Sequence, residues 1–111
     1  MPVLLMLLSP SINADFTFKD YESLSKVQST KERLSDYVVG VGRGIFWSNV
    51  LLKIQEKNRL FCPPSNLEFD EPVIMELLED EIEFLSHQPG FRDDTPIELI
   101  LTGSFAKKFP C

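Results

Sequence analysis

Four stretches of the chain repeat apolar residues at helical spacing, with polar or proline-rich punctuation between them. In residues 17–28, Phe18, Tyr21, Leu24 and Val27 recur three apart, which predicts a first helix. A second is expected to open at "STKE", where Ser29 and Glu32 have capping-box spacing. Leu34, Val38, Val41, Ile45, Ser48 and Leu52 then alternate by four and three, marking one face of a long helix to about residue 57. "NRLFCPPSNLEFD" reads as a linker, because its proline pair forbids helix continuation. A third helix is expected from the N-cap Asp70, with Pro72 tolerated in the first turn. Ile74, Leu78, Ile82 and Leu85 form its apolar stripe, flanked by Val73 and Leu77. It stops at Pro89 and Gly90. "TPIE" opens the fourth, with Thr95 as cap, Pro96 first and Glu98 closing the box. Ile97, Ile100, Leu101 and Phe105 are its core residues, and Lys107 and Lys108 suit its negative end. No strand pattern emerges. The expected fold is all-α, a compact four- to five-helix bundle in one domain.

The glycines of "YVVGVGRGIFW" bear on function, since alternating glycines also occur in phosphate loops. A phosphate loop follows a strand and sits at a helix start, where backbone N–H groups are free. Gly40, Gly42 and Gly44 lie about ten residues inside a helical pattern, and no Lys-Ser/Thr follows them. Gly40 and Gly44 share one face, so they read as a site of close helix approach, within the chain or between subunits. Gly42 points elsewhere and is expected to allow a bend or a second contact.

With 111 residues, of which 43% are hydrophobic, one core is feasible and a two-domain enzyme is not. The net charge of −6 argues against nucleic acid and anionic membranes, both of which require a basic face. "MPVLLMLLSPSINA", residues 1–14, has an apolar run followed by small residues, the order of a signal peptide. Its apolar run is too short to span a bilayer, and the usual basic start is expected upstream of Met1. Residues 15–111 then form the mature domain.

Cys62 and Cys111 fall beyond helix ends, and one His cannot complete a usual zinc set with them. In an exported chain they are expected to form one intrachain disulfide rather than two separate buried thiols. Neither metal nor cofactor is expected. His87 reads as a ligand of helix-end carbonyls, and a Cys62–His87 nucleophile pair is disfavoured by the flanking prolines. The acids of the third helix read as a solvated face rather than a catalytic pair. "SHQPGFRDDTP" stands apart, with Phe91 as an exposed aromatic beside Arg92, Asp93 and Asp94, the composition of a binding hot spot.

"YVVGVGRGI", "FCPP" and "VIMELLEDEIEFLSHQPGFRDDTPIELILTGSFAKKFPC" together resemble the Rap/Tai immunity family. These are periplasmic proteins that protect bacteria from type VI secretion amidase effectors. Tyr37, Val38, Gly40, Val41, Cys62, Pro63, Pro89, Phe109, Pro110 and Cys111 match the family pattern in order, over residues 37–111. The chain departs from the family where many relatives carry a second cysteine pair. It has Val27 and Leu34 there, so an apolar contact is expected instead, and its spacer between Trp47 and Cys62 is longer. The resemblance implies a periplasmic homodimer with no enzymatic activity. It implies a partner that is a Cys-His peptidase-like peptidoglycan amidase, blocked by a loop entering its substrate cleft. That loop maps onto Gln88, Gly90, Phe91, Arg92, Asp93 and Asp94. The alternative is a periplasmic acid-stress-type chaperone or another small disulfide-bonded binding protein.

Overall fold

The computed structural model describes residues 16–111; the expected signal segment, 1–14, lies outside them. Among the described residues the chain is all-α, with helices α1 (Phe18–Ser25), α2 (Gln28–Ile54), α3 (Glu71–Ser86) and α4 (Ile97–Lys108). The only strand-like pairing among them is an isolated antiparallel bridge between Thr17 and Pro96.

The helix starts divide into those set by their own side chains and those set from outside. Thr17 and Asp20 form a full capping box at α1. Asp70 caps α3 by accepting from Val73 N, and Pro72 sits in the first turn as expected. The other two boxes are not formed. Ser29 already lies inside α2, whose N-cap is Val27, and Thr30 instead donates its hydroxyl to the Leu24 carbonyl at 2.7 Å. α1 and α2 are therefore joined by a tight corner that begins α2 earlier than its local motif. At α4 the N-cap is Pro96, and Thr95 turns its hydroxyl back to the Arg92 carbonyl at 2.6 Å. Phe18 N donates to the Thr95 carbonyl, and this pairing holds the entry to α4. At its far end, α2 closes with Glu56 at φ 57°, where Lys57 N reaches Leu52 O and Glu56 N reaches Lys53 O. This is a Schellman closure, with glutamate in a position that favours glycine.

The core gathers one stripe from each helix and two rings from the linker. Tyr21, Leu34, Val38, Ile74, Leu77, Leu78, Ile97, Ile100, Leu101 and Phe105 are buried, and so are Phe61 and Phe69 from the segment between α2 and α3. Phe69 packs 5.0 Å from Phe46 and 5.0 Å from Phe105, centroid to centroid, and Phe61 lies 5.3 Å from Phe105. Burying a Phe contributes roughly 1.5–3 kcal/mol, so the linker is part of the core. Asn49 makes this possible. Its amide donates to the Phe61 carbonyl and accepts from the Leu60 and Phe61 N–H groups, satisfying the linker backbone against α2. Of the two positions where an apolar contact was expected, Leu34 is buried, while Val27 is exposed at the α2 N-cap.

Gly42 makes the second contact expected of it, whereas the close approach expected at Gly40 and Gly44 is not made within the chain. A Cβ added at Gly42 would lie 2.8 Å from Ile74 Cγ2, so Gly42 is what lets α2 press on α3. Gly40 and Gly44 face open space, with nothing within 4 Å of an added Cβ. Cys62 and Cys111 form a disulfide, with Cα atoms 4.9 Å apart, and Cys62 N donates to the Phe109 carbonyl beside it. No helix among the described residues is long and apolar enough to cross a membrane.

Candidate functional site: the 87–96 loop

α3 ends at His87, whose Nδ1 donates to the Glu83 carbonyl at 2.8 Å, the helix-end role expected of it. Pro89 prevents continuation, and Gly90 turns the chain at φ 84°, in the left-handed region that glycine adopts without steric cost. Phe91 N then donates to the Gln88 carbonyl, and Thr95 N to that of Arg92. Two consecutive short turns bring the chain to α4.

The loop is also fastened from outside. Lys19 N donates to the Asp93 carbonyl at 2.9 Å and Phe18 N to that of Thr95 at 2.8 Å, while Ile97 N donates to the Phe16 carbonyl at 2.8 Å. The segment before α1 and its first turn therefore act as a strap along the loop. Nothing in the loop's own sequence signals this, because backbone pairing leaves no residue-type signature. The Thr17–Asp20 capping box is the local cue that the strap has a fixed direction.

The structure brings the six loop candidates into one segment, but their exposures differ. Gln88, Gly90, Arg92, Asp93 and Asp94 are exposed, together with Pro89. Phe91 is half-buried rather than exposed. Its ring meets the Phe18 ring edge-on at 5.2 Å, because α1 offers an aromatic where the loop needs an anchor. Arg92 and Asp94 pair in a fork: Nε donates to Oδ1 at 3.0 Å and Nη2 to Oδ2 at 2.7 Å. These hydrogen bonds hold the Asp94 carboxyl below the usual carboxylate range and push the Arg92 guanidinium further up. Both groups remain charged at neutral pH, and Asp93 stands beside them. Phe18, Glu22, Ser86, Phe91, Arg92, Asp93 and Asp94 line a shallow recess of about 530 Å³. Its walls combine two aromatic rings with a charged rim.

A slightly larger recess of about 580 Å³ lies where α1, α2 and α3 meet, among Tyr21, Lys31, Glu32, Glu71 and Glu79. Burial, and secondarily the Glu79 charge, pushes the Tyr21 hydroxyl up, so it stays protonated. The walls of that recess carry mixed charge. The loop recess is the stronger candidate because its Arg92–Asp94 fork is held by two hydrogen bonds and faces outward. Among the described residues no group of three or more His, Cys, Asp or Glu side chains is placed to hold a metal ion. The Cys62–Cys111 disulfide leaves no free cysteine among them. No protein-family model, curated protein sequence or solved structure matches the chain.

Proposed function

We propose that the chain is an immunity protein that blocks a peptidoglycan amidase of the type VI secretion class in the periplasm. The observation that carries this reading is the 87–96 loop, exposed at Gln88, Arg92, Asp93 and Asp94 yet fastened by strap, turns and aromatic anchor. A binding segment ordered before it meets its partner loses little entropy on docking. The resemblance of residues 37–111 to the Rap/Tai pattern, ending in Phe109, Pro110 and Cys111, supports the same reading. So does the disulfide, which is compatible with export. In this reading the chain performs no chemistry and occludes the amidase cleft with Arg92, Asp93 and Asp94. Phe91 holds their backbone in place through Phe18. The net charge of −6 favours a partner with a basic rim, which speeds encounter and makes association salt-sensitive.

The test is inhibition of a Cys-His peptidoglycan amidase, sought first among the products of the neighbouring genes. Replacing Arg92, Asp93 and Asp94 together by Ala is expected to weaken binding by about thirtyfold or more, the loss of a hot spot worth about 2 kcal/mol. Helix content by circular dichroism stays unchanged. A folded variant that inhibits fully removes the loop from the interface and makes residues 58–69 the next candidate. An acid-stress chaperone would instead suppress aggregation of unrelated proteins on acidification, with no requirement for these three side chains.

A further inference from the structure

The recess among α1, α2 and α3 does not end where the three helices meet. A further recess of about 360 Å³ continues it between α1 and α3 toward Ser86. Tyr21, Ser25 and Glu79 line both, so the two form one groove along α3. Its charge is one-sided. Glu22, Glu32, Glu71, Glu79 and Glu83 line it, and Lys31 is the single cation of its lining. None of these carboxylates forms an ion pair with a described residue. Ser35 holds Glu71 at one end, its hydroxyl donating to Oε2 at 2.7 Å. The floor of the groove carries a polar atom without a partner. Tyr21 is only 7% exposed, and its hydroxyl makes no hydrogen bond among the described residues. No sealed side-chain oxygen among them is left unsatisfied, so this hydroxyl opens on the groove. The Glu79 charge acts on it, which places it where the two recesses join.

We propose that this groove binds a linear polyamine, laid along α3 with its ammonium groups on Glu71, Glu79 and Glu83. Along α3 the groove presents Glu71, Met75, Glu79, Ile82 and Glu83 in turn. Carboxylates and apolar side chains therefore succeed one another, as ammonium groups and methylene runs do in such a ligand. At 1.5 Å per residue, Glu83 follows Glu79 by about 6 Å and Glu79 follows Glu71 by about 12 Å. An extended run of four methylenes between two nitrogens spans about 6 Å. The carboxylate spacings thus correspond to one and two such intervals, and a tetraamine reaches all three. Each contact is a charge-assisted hydrogen bond, the strong kind. The neutral Tyr21 hydroxyl accepts from the nitrogen nearest Glu79. A small metal ion is a poorer match, because no three of these side chains converge to hold one. The groove contains no residue of the 87–96 loop other than its neighbours on α1 and α3, and the proposal does not rest on the amidase reading.

Isothermal titration of the disulfide-bonded chain with spermine is expected to show one saturable site with a Kd below about 1 mM. Glu79→Gln is expected to weaken binding about tenfold, and Tyr21→Phe about threefold or more while keeping the ring that packs in the core. Glu76→Gln removes an exposed α3 carboxylate outside the groove and is expected to leave binding unchanged. Circular dichroism checks that each variant keeps its helix content. Glu79 is exposed, so its variant reads the site even if Tyr21→Phe disturbs the core. Absence of saturable binding overturns the proposal. So does displacement of spermine by an equal concentration of magnesium, or a loss in Glu76→Gln as large as in Glu79→Gln, since either means diffuse attraction to an acidic surface. Binding of oligolysine but not of spermine overturns it as well, and makes the occupant a basic peptide.

Discussion

Gly42 shows how much one missing methyl group decides. Ile74 is β-branched and fully buried, so it has little freedom to withdraw from a new Cβ 2.8 Å away. Alanine there gains up to about 1 kcal/mol in helix propensity but overpacks the α2–α3 contact by about 1–3 kcal/mol. Gly42→Ala is expected to lower stability by about 1 kcal/mol net. Gly103→Ala is expected to raise it by about 0.5–1 kcal/mol, because Gly103 lies in α4 with open space around it. Urea denaturation of both variants checks the pair, and equal shifts in the same direction would contradict the packing account. Phe91 makes a related point at the loop. The same ring serves as anchor or as bait depending on whether a partner ring is present, and Phe18 supplies one.

At the scale of elements, the loop between α3 and α4 is shaped by its neighbours as much as by its own residues. Arg92 and Asp94 fix the outer turn, and the strap fixes the inner side. The pair also carries a pH dependence whose sign follows from the Asp94 shift. A carboxyl depressed in the folded state contributes its interaction fully above the unfolded value and loses it as pH falls through the lower folded value. Carboxyl chemical shifts are therefore expected to place the Asp94 midpoint below that of an ordinary aspartate, with the Arg92–Asp94 fork unchanged between about pH 5 and 8. In Arg92→Ala the midpoint rises toward the ordinary value. An unchanged midpoint in that variant would show that the fork does not persist in solution.

Over the whole molecule, the covalent tie among the described residues is the Cys62–Cys111 disulfide, with a sequence separation of 49. It joins the aromatic linker to the end of α4, beside Phe61, Phe69 and Phe109. Protein made in an oxidising compartment is expected to show no free thiol when denatured. Replacing both cysteines by serine is expected to lower stability by about 2–4 kcal/mol, since closing a loop of this length constrains the unfolded chain. Guanidinium denaturation of the oxidised chain and the double variant measures the difference, and equal midpoints would exclude a stabilising bridge.

Much of the architecture was legible in the residues. The apolar periods of α1, α3 and α4, the Asp70 cap and the stop at Pro89-Gly90 all act within a few residues, so local spacing carries them. The cysteine pair was legible too, because two thiols beyond helix ends had one sensible pairing. The loop's location was readable from its punctuation and composition. What tertiary structure decided was every feature with a distant partner. Phe61 and Phe69 lie in a proline-broken segment with no period, and only Asn49 and the surrounding rings make that segment core. Two well-spaced capping boxes went unformed, because the α1–α2 corner and the Thr17–Pro96 pairing used those residues otherwise. Three glycines of one motif separated into one that is packed and two that face outward. Sequence spacing assigns positions around a helix, but the neighbour that meets each position is set by how the helices cross.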